Sequence, residues 1–200
     1  VAPLLGTDSE GASLDISRDS LIAIGAGLAA GTLVGIIASQ KVQMTAMPQM
    51  VALFNGLGGA ASAVVATIDL FNKEVAAKIA ADSGAEVIIP DGTLSIPAAL
   101  SILIGGVTLT GSAIAFAKLQ GLISGRPLVY PLQKTLNLLL LLGAVASCCW
   151  LVSEPLDPLP LYCLAGIAAI LGVLSVLPIG GADMPVVISL LNSYSGLAAS

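Results

Sequence analysis

Charged residues are scarce in this chain, and histidine is missing altogether. Only 10% of its 200 residues are charged, whereas soluble domains carry about 25%. A protein with so few charges cannot build an ordinary water-exposed surface. Without histidine, the chain by itself cannot form a histidine-based catalytic group or a histidine-ligated zinc site.

Basic residues are also few, with 7 Lys and Arg against 12 Asp and Glu, for a net charge of −5. Nucleic-acid affinity depends on Lys and Arg, so we exclude nucleic acid as a partner. Cysteine is limited to Cys148, Cys149 and Cys163, whose spacing matches no metal site. We interpret the cysteines as small residues that pack between helices, and we predict no metal site.

Apolar sequence, in contrast, is abundant, since 56% of the residues are hydrophobic. A helix needs roughly 20 such residues to cross a bilayer, and continuous runs contradict the alternation of membrane β-strands. The sequence therefore predicts an all-α fold, a polytopic transmembrane helix bundle. The predicted segments are residues 21–39, 48–70, 94–116, 135–152, 160–179 and 185–200.

The last apolar run stops after about 15 residues, which is short of the length that a spanning helix needs. We therefore interpret the chain as a fragment of a larger membrane protein. Residues 1–20 are assigned to a loop and the end of a preceding element. Residues 21–200 are assigned to a transmembrane domain with about five full helices and a truncated sixth. Within the longest connection, residues 73–92, we predict a short surface helix at 74–82.

Small residues recur in two of the segments. Ala23, Gly27, Gly31 and Gly35 stand at every fourth position, which predicts a close contact with another helix. The third segment combines glycines with hydroxyl side chains. Those hydroxyls either bond back to their own helix or lie beside a hydrated path. The residues concerned are Gly105, Gly106, Thr108, Thr110, Gly111 and Ser112.

Residues 56–61, GLGGAA, spell the letters of a dinucleotide-binding fingerprint. That fingerprint needs a turn between a strand and a helix, where free backbone amides meet a pyrophosphate. Here the glycines lie in the middle of an apolar segment, whose backbone amides are already bonded. We interpret them as a close helix contact and predict no cofactor-binding residues.

An amide recurs in the same frame twice. Met47-Pro48 precedes Asn55 by the spacing that separates Met184-Pro185 from Asn192. If each proline lies near a helix start, each amide lies roughly 10 Å along the helix. A buried amide needs a partner, so the pair either joins neighbouring helices or lines a shared polar path. Asp183, just before the second frame, either caps a helix or marks the mouth of that path.

Three stretches resemble one family closely: VQMTAMPQMVALFNG, GGVTLTGSAIAFAKLQG and IGGADMPVVISLLNSYSG. They are similar to the membrane domain of proton-translocating NAD(P) transhydrogenase, in its beta or NADP-side subunit. The resemblance covers nearly all of residues 21–200, and the last stretch is its most specific part. The first twenty residues and the connection 73–92 match poorly.

The resemblance implies an enzyme complex that couples hydride transfer between NAD(H) and NADP(H) to proton movement across a membrane. It implies that NAD and NADP bind to two soluble domains outside this chain, so no catalytic residue is assigned here. The implied partners are the alpha-subunit membrane helices, the NADP(H)-binding domain that follows this segment, the NAD(H)-binding domain, and a second copy of the complex. The implied location is a bacterial inner membrane or a mitochondrial inner membrane.

The resemblance also implies a proton path. Family members often carry a histidine implicated in proton transfer where this chain has Asn55, and an amide cannot titrate. A branch of the family instead carries a histidine on a helix of the alpha part, and this chain is similar to that branch. Asn192 and the loop 180–183 match positions tied to proton movement and to the NADP(H) domain. Our candidate path residues are Asn55, Asn192, Asp183, Thr108 and Ser112.

Two other functions remain open from the residues alone. The repeated Met-Pro frame also fits a secondary transporter, with two parallel helical-hairpin repeats around a site at mid-membrane. A purely structural membrane bundle is the third possibility. A nucleotide-binding domain following the chain would favour the proton pump, and continued hydrophobic repeats would favour the transporter.

Loop charge predicts the orientation. Basic residues mark the loop at 118–134 and Lys41, whereas Glu154 and Asp157 mark an acidic loop. By the positive-inside rule, the basic loops and the loop 180–183 face the cytoplasm or its equivalent, although Arg18, Lys73 and Lys78 lie on the other side in loops that are net acidic. The resemblance implies that the nucleotide-binding domains lie on the side of the basic loops. A cysteine at Gly125, in a background without the native cysteines, should react with an impermeant maleimide from that side only. A cysteine at Asp157 is the control and should react from the other side; the reverse pattern would overturn the topology.

Overall fold

The computed structural model describes residues 18–83, 92–154 and 156–198, and within these ranges it contains α-helices and two short 3-10 turns but no strand. The predicted all-α fold is therefore confirmed, and most of the predicted loop 1–20 lies outside the described residues. The helices are α1 Arg18–Lys41, α2 Met47–Ser83, α3 Gly92–Leu119, α4 Gln133–Ser153, α5 Pro158–Val176 and α6 Met184–Ala198. The 3-10 turns are Met44–Ala46 and Gly181–Asp183.

Five of the described helices, α1 to α5, are long and apolar enough to cross a membrane. This confirms a polytopic membrane bundle. The predicted segments agree with the helices to within a few residues, except in α2. That helix has 37 residues, so it is about 55 Å long and exceeds a hydrocarbon core of about 30 Å. The predicted surface helix at 74–82 is not separate, because α2 continues through it to Ser83.

Ion pairs carry α2 beyond the apolar segment. Asp69 pairs with Lys73, and the buried carboxylate of Glu74 pairs with Lys78, each four residues apart along the helix. Ion pairs at this spacing stabilise a helix, so they support α2 beyond the end of its apolar run. The hydropathy pattern alone therefore ends α2 too early.

The chain divides into two units, residues 1–46 and residues 47–200. In the described part of the first unit, α1 has no buried residue. A Cβ atom added at Gly27, Gly31 or Gly35 would meet no atom within 4 Å. The small-residue face of α1 is therefore uncovered within its own unit, and its contact with a neighbouring helix stays a prediction.

In the second unit, α3 is the central helix, and it contacts α2, α4, α5 and α6. Glycines allow the closest of these contacts. A Cβ atom at Gly59 of α2 would lie 2.8 Å from the Cβ of Thr108 and 2.9 Å from the carbonyl oxygen of Gly105. On another side of α3, a Cβ atom at Gly106 would lie 2.9 Å from the Cβ of Ala168 on α5. Of the fingerprint-like glycines, Gly59 and Gly56 therefore serve the predicted helix contact, whereas a Cβ atom at Gly58 would meet no atom within 4 Å.

Two apolar clusters pack along α3, with a polar layer between them. The first contains Ala99 and Ile102 of α3 together with residues of α2, α4 and α5. The second contains Ala115 of α3 together with residues of α2, α5 and α6. Thr108 and Ser112, both fully buried, lie on α3 between these clusters. The fold thus surrounds a short polar stretch of α3 with apolar contacts on both sides.

Substitution at Gly59 should test the close contact of α2 with α3. Gly59→Ala should destabilise the protein by about 1–3 kcal/mol, because the added methyl group meets backbone that cannot easily move. Gly58→Ala is the matched control, because a Cβ atom there would meet nothing within 4 Å. The measurement is the Tm of the purified protein in detergent. Equal Tm values for the two variants would contradict the contact.

The uncovered face of α1 gives a second prediction. If Gly31 contacts a helix in the assembled protein, then Gly31→Leu should lower the yield and thermal stability of the complex in membranes. Ala29→Leu adds similar bulk on a different face of the same helix and should have little effect. Normal yield and thermal stability of Gly31→Leu would count against a packing role for this face.

Candidate functional site

A polar cluster lies where α2, α3 and α6 meet. The Nδ2 group of Asn55 on α2 donates a hydrogen bond to the Oγ of Ser112 on α3, at 2.9 Å. Asn55 is 8% exposed and Ser112 is fully buried. The bond gives the buried amide a partner on a neighbouring helix. Without that partner, an unpaired amide in hydrocarbon would cost several kcal/mol.

A second contact joins α3 to α6. The Oγ of Ser195 lies 3.0 Å from the Oγ1 of Thr108 and 3.1 Å from the carbonyl oxygen of Leu191. A serine hydroxyl has one proton and donates it to one acceptor at a time. Ser195 can therefore donate to Leu191 while accepting from Thr108, or donate to Thr108 directly. Such a pair can reverse its direction without moving a heavy atom.

Both amides of the repeated frame line one groove between α2 and α6, whose volume is about 470 Å³. Asn55 is buried at its wall, whereas Asn192 is exposed. A water molecule takes about 30 Å³ in the liquid, so the groove has room for several. The lining residues are Val51, Phe54, Asn55, Gly58, Ser62, Asn192, Ser195 and Gly196.

None of the described residues that line the groove is ionisable. Their polar groups are amides and hydroxyls, which donate and accept hydrogen bonds but do not take up a proton near neutral pH. The groove can therefore hold and orient water. A group that stores a proton would have to come from another part of the protein.

Four of the five predicted path residues are brought together by α2, α3 and α6, namely Asn55, Thr108, Ser112 and Asn192. Asp183 is not among them. It is exposed at the end of the 3-10 turn that leads into α6, and its carboxylate accepts no hydrogen bond from the described residues. Asn192 follows it by nine positions, or roughly 13 Å along a helix. Helix capping by the Asp183 side chain is therefore not observed.

Two polar residues that line the groove are not among the predicted path residues, namely Ser62 and Ser195. Each could have been found from helix periodicity, because Ser195 follows Asn192 by three positions and Ser62 follows Asn55 by seven. The hydroxyls of α3 divide between the two alternatives left open. Thr110 bonds back to the Gly106 carbonyl at 3.1 Å, whereas Thr108 and Ser112 bond to other helices.

Comparison with known proteins identifies the family of this chain. The family model described as NAD(P) transhydrogenase beta subunit matches residues 6–200. Two curated sequences named NAD(P) transhydrogenase subunit beta, both from Rhodospirillum rubrum, are 44% identical to this chain over 173 residues. The match covers 86% of this chain and 36% of each relative, so the chain spans about a third of their length. The chain belongs to the NAD(P) transhydrogenase beta subunit family.

Proposed function

We propose that this chain forms most of the beta-side proton path of a proton-translocating NAD(P) transhydrogenase. In that activity a hydride passes between NAD(H) and NADP(H), so that one nicotinamide is oxidised and the other reduced while protons cross the membrane. The observation that carries the proposal is the groove shared by Asn55 and Asn192, which is polar on apolar membrane helices. Family membership favours this function over a secondary transporter.

In this proposal the chain supplies the membrane part, and the nucleotides bind elsewhere. NAD and NADP would bind to soluble domains of the complex, with no nucleotide chemistry in the helices described above. The name subunit beta, carried by the relatives, supports an assembly with other subunits. The proposed partners are alpha-subunit membrane helices, the two nucleotide-binding domains and a second copy of the complex. The proposed membrane is a bacterial inner or mitochondrial inner membrane.

The proposed mechanism uses the amides to hold water and the hydroxyls to relay hydrogen bonds. Asn55 is fixed by Ser112 and therefore presents its remaining amide groups in a constant direction. Asn192, on the exposed side, has no such bond among the described residues and can turn with the water that it binds. The reversible Ser195–Thr108 pair can change the direction of a hydrogen-bonded chain as a proton passes.

A titrating group must complete the path, because the groove itself offers none. In the proposal this group is a histidine on a membrane helix of the alpha part, which takes the role that Asn55 cannot fill. Asp183 would lie at the end of the path, where the loop 180–183 faces the NADP(H)-binding domain. Its exposure leaves the carboxylate available for contact with that domain.

Replacement of Asn192 tests the proposal. Asn192→Leu removes one hydrogen-bonding group from the groove, which is worth about 1–1.5 kcal/mol, and should slow proton-coupled turnover about tenfold. Nucleotide binding should be nearly unchanged. The measurement is dye-monitored proton uptake by vesicles that contain the complete complex, together with NADPH titration. Asn72→Leu, the same change at an exposed position of α2, is the control. Normal pumping by Asn192→Leu would overturn the proposal.

A second variant at position 192 tests whether a proton passes this side chain, and not only whether the groove holds water. Asn192→Asp keeps a hydrogen-bonding side chain but adds a carboxyl group, so turnover should acquire a new dependence on pH. The test is the pH profile of proton-coupled turnover in the same vesicles, compared with the wild type. A profile identical to that of the wild type would mean that position 192 does not meet the moving proton.

A further inference from the structure

The last turn of α3 contains a buried lysine. Lys118 is only 4% exposed, and its ammonium group donates hydrogen bonds to the carbonyl oxygens of Leu177 and Ile179, the latter at 2.6 Å. Because α5 ends at Val176, these two carbonyls lie just past its last turn, where a helix no longer supplies donors. Lys118 supplies them from the neighbouring helix. The apolar pattern instead predicts this lysine in the loop between the third and fourth segments.

The charge of Lys118 is balanced without a carboxylate. In the described ranges the ion pairs join Asp69 to Lys73 and Glu74 to Lys78, and Lys118 forms none. The carboxyl end of α5 carries a partial negative charge, which favours a cation at this position. An ammonium group is costly to bury without partners. The two carbonyl groups that it bonds therefore fix the position of the Lys118 ammonium group.

Those carbonyls belong to the connection between α5 and α6, residues 177–183. This connection also bonds to the connection between α3 and α4, residues 120–132. The amide of Leu128 donates to the Leu177 carbonyl at 3.1 Å, and the amide of Gly181 donates to the Gly125 carbonyl at 2.8 Å. Residues 177–183 are therefore held by both the end of α3 and the loop that follows it.

The end of α3 is itself well fixed. Gly121 adopts a positive φ of 72°, a conformation that glycine accepts most easily. The amide of Leu122 donates to the Ala117 carbonyl at 2.9 Å, and that of Gly121 to the Lys118 carbonyl at 3.2 Å. This is the Schellman pattern of a helix end. Gln49, in the first turn of α2, adds a bond from its amide to the Leu119 carbonyl at 3.2 Å.

The connection 177–183 leads directly into α6, which carries Asn192 and Ser195 to the groove. The first residue of α6, Met184, is fully buried, and it packs in the same cluster as Ala115 of α3. Helix α3 therefore holds α6 at two levels. Lys118 fixes the connection before α6, and Thr108 meets Ser195 on its later turns.

We propose that Lys118 is a positioning residue, which fixes the connection 177–183 to the end of α3 and so sets the position of α6 at the groove. Its effect on proton transfer rests on the function proposed above, whereas its effect on the connection does not. Methionine has nearly the same length as lysine and no charge to bury, so Lys118→Met should fold and remain stable. It should nevertheless lose both bonds to the connection.

Hydrogen exchange tests the positioning without reference to function. In the complete complex, amides of residues 177–183 should exchange about tenfold faster in Lys118→Met than in the wild type, since a local opening becomes easier. Amides of α4 should be unchanged. Lys118→Arg keeps a charged donor and should retain most of the protection. Lys134→Met, which removes an exposed lysine near the start of α4, is the control. Unchanged exchange at residues 177–183 in Lys118→Met would overturn the proposal.

Turnover tests the consequence in the same samples. The kcat of proton-coupled turnover should fall several-fold in Lys118→Met, with the KM for each nucleotide unchanged and partial recovery in Lys118→Arg. Faster exchange with an unchanged kcat would refute the link to α6. A wild-type complex that does not pump would refute the proposed function instead, while the exchange comparison would still decide the positioning role.

A third variant covers the case in which Lys118→Met does not accumulate in membranes. Lys118→Gln is neutral and too short to reach both carbonyls, so its exchange at residues 177–183 should exceed that of Lys118→Arg. Equal exchange in the glutamine and arginine variants would show that the ammonium group does not hold the connection.

Discussion

Polar groups inside hydrocarbon must find partners, and the close approach of α2 to α3 makes this possible for the buried amide of Asn55. The two backbones nearly touch where Gly59 faces Gly105, since a Cβ atom at Gly105 would lie 2.5 Å from the Gly59 carbonyl oxygen. Four residues before Gly59, Asn55 is thereby brought within 2.9 Å of Ser112. The glycine contact and the polar contact therefore depend on one helix register. Bulk at the glycines would separate the helices and leave an amide unpaired.

The two amides consequently differ in what they can do, although their sequence frames are alike. Asn55 is bonded and buried, so its orientation is set by the packing of α2 on α3. Asn192 is exposed on α6, across the same groove. A fixed amide orients the water beside it, whereas a free amide can rotate to bond water molecules at different positions. The proposed proton path uses both properties, because each proton transfer reverses the hydrogen bonds behind it.

Hydrophobic runs were sufficient to predict the helices, and the repeated Met-Pro frame was sufficient to single out Asn55 and Asn192. The extension of α2 to Ser83 was missed, because beyond Asp69 the helix continues by ion pairs and its hydropathy falls. The bond of Asn55 to Ser112, and that of Ser195 to Thr108, could not be predicted. Each requires the register of one helix against another, and spacing along a single chain does not contain that register. Lys118 was assigned to a loop for a similar reason, since its carbonyl partners are about sixty residues away.

The burial of Lys118 lowers the number of exposed basic residues at the end of α3, on which the predicted orientation depends. Three basic residues lie between the third and fourth predicted segments, but the ammonium group of Lys118 points into the protein, toward the end of α5. Arg126 and Lys134 are the exposed ones, and they remain free to interact with water and lipid head groups at this end of the bundle. The same end carries the connection 177–183 with its exposed Asp183. This surface therefore carries charges of both signs, and its backbone is fixed by a buried ammonium group, so that the domain proposed to bind here would meet a defined surface.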